Sequence, residues 1–488
     1  QVYRAGGRPF VDTYPIHGWG ADGGVDGFVF ARFSPDLRLY RARRAAATAL
    51  ELCALAALGL GLFGHAGWAA VAFVAALSIS PFGSERPGVA VAAMAAMALA
   101  ARRRDVRLWV AAGALAAAAL FFTLDFGVAA LSGGLAAAAL LGAVDERTDG
   151  PWRAAGAFAA GVGAGTLPFA LLLLRDGALT AFCRVSFVDL PRDIGDIWGL
   201  PAGTSAAAIV DGGGAEALAL VRGETMPALF LLGLLATAVG VWAARALDRV
   251  LDETDRAVAP VTLVGLAALR GALGRADGGH LAFYGVLAGF PAAWLLFRAA
   301  HARRFATATT VLTATVLAVA LRPDRAIRTQ ARLLAWAASR HAATLQALAQ
   351  PGPDRRAPAS RGQAAEIRAL RAFMDARLRP GETFFDYTSE PALYFLLDRL
   401  PPVRYGIVPF YEPEAKQREV IAALERVRPP LAIVSAGPRY DAPDSISHRE
   451  RTPLVAAYLD AAYEPLAEVA GRTIAQRRRP AASAPAPP

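Results

Sequence analysis

Lys416 is the only lysine among 51 lysine and arginine residues, and Cys53 and Cys183 are the only cysteines in 488 residues. Two thiols are too few for a disulfide framework or a zinc site, and in or near apolar segments they read as packing residues. Charge is scarce as well: 19% of the chain is charged and 55% is hydrophobic, with a mean hydropathy of +0.36. That is too apolar for an ordinary soluble domain. The formal charge of +10 therefore does not mark a nucleic-acid partner, and nothing in the chain reads as a nucleic-acid module. In a membrane protein arginine has another use, in the loops that stay in the cytoplasm. A signal peptide is also lacking. The chain starts at Gln1 with no apolar run before residue 44, so a piece carrying a first transmembrane helix is expected to be missing upstream.

What is abundant is alanine, leucine and valine in long, nearly uncharged runs. They fall near 45–63, 67–82, 88–101, 108–122, 126–144, 154–174, 227–244, 257–272, 281–297 and 305–321. Several reach the roughly 17–20 residues that a helix needs to cross a hydrocarbon core of about 30 Å. The expected fold is a polytopic α-helical membrane protein with about ten transmembrane helices, partnered by the bilayer. "ARRRDVR", "DERTDGPWR", "ARALDRVLDETDR" and "FRAAHARR" fall on one face of that topology. The opposite face is less basic, and its long 175–226 loop is net acidic. Positive-inside then puts residues 1–44, the 175–226 loop and everything after Leu321 outside the cytoplasm. "RARR" at 41–44 and "RPDRAIRTQAR" at 322–332 run against it.

Residues 322–362 read as an arginine-rich linker. From 363 to 475 "AAEIRALRAFMDARL", "EPALYFLLDRL" and "EAKQREVIAALERV" have helical periodicity, while "ETFFDYTS" and "PLAIVSA" are strand candidates. Such alternation implies a small α/β domain, expected to be extracytoplasmic. The tail 476–488 is low-complexity and expected to be disordered.

Ahead of the first run lies "GGRPFVDTYPIHGWGADGGVDG", Gly6–Gly27, with three aspartates and seven glycines. Loops that only connect helices are normally short. Tyr14 and Trp19 are interleaved with Asp12, His17, Asp22 and Asp26, an arrangement equally suited to an interfacial anchor or to stacking on a sugar. The stretch "GRPFVDTY", followed by "SPDLRLYRARRAAATAL", resembles the first extracytoplasmic loop of the GT-C superfamily. These integral-membrane glycosyltransferases use polyprenyl-phosphate-linked sugars, and the nearest branches are bacterial mannosyl- and aminoarabinosyl-transferase-like enzymes. The resemblance extends loosely over the whole chain. It implies a protein of the bacterial inner membrane that moves a sugar to an acceptor outside the cytoplasm, with inversion, and places the superfamily's essential acid at Asp12.

Such a transfer needs a carboxylate to take the acceptor's proton and cations to hold the departing phosphate. Asp12 is the candidate base, with an Asx-turn as its plain structural alternative. Arg270, Arg275 and His280 are the candidates for the lipid phosphate, or else an ordinary polar turn. Glu85 and Asp125 are second acid candidates. Tyr14, His17, Trp19, Asp22 and Asp26 are candidate acceptor or sugar contacts. If a divalent cation takes part, oxygen ligands such as Asp12 and Glu85 suit Mg²⁺ or Mn²⁺. Asp189, Asp193 and Asp196 read as solvated, and Asp386, Tyr387 and Glu390 as turn and cap residues. Two other classes fit so many spans: a transporter or flippase, and a scaffold whose outer domain binds a partner.

Overall fold

A computed structural model describes residues 2–33, 36–79, 86–144, 152–193, 225–274, 278–301, 361–442 and 446–479. A polar loop and a short helix, α1 (Val25–Arg32), lead into α2 (Leu37–Phe63), α3 (Ala66–Ile79), α4 (Gly88–Arg103), α5 (Val106–Phe122), α6 (Leu124–Val144) and α7 (Trp152–Arg175). After α8 (Leu179–Arg184) and α9 (Leu190–Asp193), the helices resume with α10 (Thr225–Leu247), α11 (Glu253–Gly274), α12 (Gly278–Gly285) and α13 (Gly289–His301). Helices thus occupy nine of the ten apolar runs, and the tenth, 305–321, lies outside the described residues.

Among the described residues five helical stretches are long and apolar enough to cross a membrane: Leu39–Phe63, Leu124–Val144, Trp152–Arg175, Leu229–Leu247 and Phe283–His301. The central windows of Trp152–Arg175 and Leu229–Leu247 are only 17% and 22% buried within the protein. Their apolar surface is left for lipid, so the chain is a membrane-embedded helical protein. Alanine and glycine set the packing. A Cβ on Gly161 would lie 2.0 Å from the Val110 carbonyl oxygen, so α5 and α7 approach more closely than a side chain there allows.

The two ends of the bundle differ. At one, Arg102 reaches the Leu62 carbonyl and Glu253, while Asp255, with no exposed surface, is gripped by Arg245 at 2.8 Å and Arg298 at 2.5 Å. The Trp242 indole donates to the Asp255 carbonyl, tying α10 to α11. The other end carries the N-terminal loop and the C-terminal domain.

That domain has a four-stranded sheet, order β1-β2-β4-β3, from β1 (Phe384–Asp386), β2 (Leu431–Ser435), β3 (Tyr463–Val469) and β4 (Arg472–Arg477). β1 and β2 are parallel and the other pairs antiparallel. Phe384, Leu431, Ile433 and Ile474 face α14 (Arg361–Asp375) and α15 (Ala392–Leu396). Their neighbours Phe385, Ala432 and Ala475 point the other way, toward α16 (Glu414–Val427) and α17 (Pro453–Ala462), as a two-residue period requires. This second core does not stop at the domain. It continues through Phe10 and Tyr14 of the loop to Phe121 and Leu173 at the helix ends and Phe182 of α8.

Candidate functional site

The "GRPFVDTY" stretch is a tight turn. The Asp12 amide donates to the Arg8 carbonyl at 3.0 Å, and the Arg8 amide donates to the Asp12 carboxylate at 2.7 Å, with the Arg8 guanidinium 3.3 Å away. Phe10 sits inside the turn at φ 62, a costly conformation for a bulky residue. Burial compensates: the ring is 1% exposed and meets Phe182 edge-on at 5.1 Å. With Phe10 driven inward, Asp12 is turned out. It opens onto a cleft of about 380 Å³ between the loop and the C-terminal domain, walled by Val11, Pro402, Val420 and Ala423 and bearing Arg404 and Arg426.

Tyr14, a candidate sugar contact, is instead buried at the junction. Its amide donates to the Arg404 carbonyl at 3.1 Å, and its hydroxyl receives a 2.6 Å hydrogen bond from Lys416, whose ammonium lies 4.3 Å from the ring centre. Lys416 also pairs with Asp193 at 2.9 Å. Burial pushes the Tyr14 hydroxyl well up, reinforced by Asp193 and Asp189, and pushes the Lys416 ammonium down against the pull of Asp193. Burial by itself would raise the Asp193 carboxyl, but hydrogen bonds from Arg192 and Lys416 hold it below the usual range. Asp189 and Asp193, expected to be solvated, are 7% and 4% exposed. The cations of Arg184, Arg192 and Lys416 make that burial tolerable. Asp196 lies outside the described residues.

A second polar group lies at the same end of the bundle. Arg86 pairs with Asp125 at 2.6 Å and stands 4.3 Å from the centre of the Phe283 ring, and the Tyr284 hydroxyl donates to Asp125. His280 stacks on Tyr284 with ring centres 6.2 Å apart, and the Tyr284 ring lies against Gly271, next to exposed Arg270. Of the expected lipid-phosphate residues, His280 stacks on Tyr284 and Arg270 is exposed one position before the glycine that this ring covers, while Arg275 lies outside the described residues. So does Glu85. Asp125 is joined to the loop through its neighbour: the Leu124 amide donates to the His17 carbonyl at 2.7 Å. The close approach needs Gly18, at φ 119, where a Cβ would meet the Phe122 carbonyl oxygen at 2.8 Å.

The remaining loop residues have local partners. The His17 ring bonds Asp22 at 2.9 Å, and Asp26 pairs with Arg43 at 2.7 Å, tying α1 back onto α2. Trp19 is half-buried, with an indole N–H that meets no acceptor among the described residues. Asp12 and Asp125 share no partner. The candidate base and the candidate phosphate group thus belong to two separate clusters on one end of the protein. Among the described residues no three His, Cys, Asp or Glu side chains come together as a metal site.

In the C-terminal domain, Asp386 accepts from the Thr388 and Glu390 amides, which makes it the turn residue expected before α15. Three residues were missed from sequence: Arg86, Tyr284 and Lys416. Next to Glu85, Arg86 has the look of a local ion-pair partner, and Tyr284 is one more aromatic in an apolar run. The rarity of lysine was the one available signal for Lys416. Comparison with protein families, with curated proteins and with solved structures finds no match.

Proposed function

We propose that this protein is a membrane glycosyltransferase of GT-C type, moving a sugar from a polyprenyl-phosphate carrier to an acceptor hydroxyl or amine outside the cytoplasm. The observation that carries the reading is the position of Asp12: the acid of the "GRPFVDTY" stretch lines a cleft between the loop and the C-terminal domain. A carboxylate there can accept the acceptor's proton as its oxygen or nitrogen attacks the sugar's anomeric carbon. The bond from that carbon to the phosphate oxygen breaks, and the phosphate leaves with the electron pair. Arg270 and His280, at helix ends in the other cluster, are the donors this reading assigns to that growing charge, so it requires the bound sugar phosphate to span from that cluster to Asp12. In this reading the end opposite the loop, with Arg102, Arg103, Arg104, Arg107, Arg245, Arg249 and Arg256, is taken as cytoplasmic by the positive-inside rule, against Arg43, Arg86 and Arg270 at the loop end.

A transporter has one observation in its favour. Glu51, 3% exposed on α2, packs against Gly88 at the start of α4, and ionisable groups buried within spans mark substrate paths in pumps. The deciding experiment is sugar transfer by the purified chain from a radiolabelled polyprenyl-phosphate sugar pool. Asp12→Asn should lower transfer by about 100-fold or more at unchanged fold. Equal transfer by both proteins would remove Asp12 from the reaction.

A further inference from the structure

The cleft beside Asp12 is not electrically neutral. Arg404 faces Glu419 with both carboxylate oxygens engaged, Oε1 at 2.7 Å and Oε2 at 2.9 Å, and the Tyr405 hydroxyl donates to Oε2 as well. Asp12 has one oxygen, Oδ2, held by Arg8, and the other receives no hydrogen bond among the described residues. Two acids are thus matched by two arginines. Arg426 is left over: it lines the same cleft, is exposed, and has no ion pair or hydrogen bond among the described residues. Its place in the last turn of α16 suits a cation in any case. Within the cleft, however, it is an unneutralised guanidinium across apolar walls of Val11, Leu400, Pro402 and Val420.

Resting on the glycosyltransferase reading, we infer that this cleft selects an acidic acceptor, a hydroxylated sugar bearing a carboxylate. Asp12 Oδ1 accepts from the hydroxyl to be glycosylated, and Arg426 receives the carboxylate through two parallel hydrogen bonds. The apolar walls cover the C–H faces of the ring. A cleft of about 380 Å³ is at the lower end of the range of small-molecule pockets, so it holds a terminal residue of the acceptor rather than a long chain. A neutral sugar would leave Arg426 without a partner and lose most of its preference for the site. The charge on Arg426 does not enter the transfer step, so it sets acceptor affinity and not the chemistry.

The test is binding, which needs neither donor nor turnover. Full-length protein in neutral-lipid nanodiscs is titrated with methyl β-glucuronide and with methyl β-glucoside, followed by saturation-transfer NMR. The expected result is millimolar binding of the glucuronide, about tenfold tighter than the glucoside, with the preference lost in Arg426→Gln and kept in Arg428→Gln, one turn-end residue away. Equal affinity for the two sugars, a preference that survives Arg426→Gln, or no binding of either into the tens of millimolar would each overturn the inference. Arg426-dependent glucuronide binding by a protein that transfers no sugar would keep the acidic-sugar site and sink the transferase. Transfer that depends on Asp12 while neither methyl glycoside binds would do the reverse.

Discussion

At the residue scale the informative side chain is the rarest. Lys416 reaches the Tyr14 hydroxyl and Asp193 from a helix of the C-terminal domain, so one ammonium joins the loop, the segment after α7 and the sheet domain. A guanidinium is planar and broad, whereas an ammonium on a slender stem fits between a ring face and a carboxylate. Lys416→Met should cost about 3 kcal/mol, the low end for breaking a buried pair because Arg192 still neutralises Asp193. Hydrogen exchange should then rise in residues 8–18 and stay unchanged in α5; protection of 8–18 equal to wild type would refute the tie. Asp386 offers a pH-dependent counterpart. Burial, partly offset by its hydrogen bonds to Thr388, raises its carboxyl from 3.8 to about 6. Between those values the folded chain holds a proton that the unfolded chain has lost, so stability falls by about 3 kcal/mol as pH rises from about 4 to about 6. Asp386→Asn should flatten that slope, read as exchange in residues 384–396 across the same pH range.

Elements were legible wherever one physical signal dominated. Apolar runs gave the helices, and the structure extends them at ends such as 37–44 and 102–103, where arginines continue the helix past the hydrophobic stretch. "EAKQREVIAALERV" is a helix over its whole length. The β3–β4 hairpin was not legible, because "YEPLAEV" and "RTIAQR" are polar, half-exposed and interrupted by Pro465. Its one signal was the turn: Ala470 and Gly471 both have positive φ, the two-residue turn that suits a hairpin. At the site, the acids were legible and their partners were not, since Lys416 meets Tyr14 across 402 positions. Helix packing supports a paired prediction on α7. Gly161→Leu drives a side chain into the Val110 carbonyl and should abolish monodisperse protein in size-exclusion chromatography. Gly163→Leu, on a position with no atom within 4 Å, should leave the elution profile as it is.

At the scale of the whole molecule, two clusters of polar groups share one end of the helical bundle, and which side of the membrane that end faces can be measured. Cys183 is exposed on α8 at the loop end, and Cys53 lies on α2 within a span. A membrane-impermeant maleimide added to spheroplasts should label Cys183 and spare Cys53; labelling of Cys183 only in everted vesicles would reverse the topology. The continuous core from Phe10 to Ala475 has a further consequence, in time rather than space. The loop is made before the strand and helices that cover it. At a synthesis rate of roughly 5–20 residues per second, Tyr14 waits on the order of 20–80 seconds for Lys416 to exist. Through that interval the nascent chain shows Phe10 and Tyr14 uncovered, a window in which chaperones and proteases meet a site the finished protein hides.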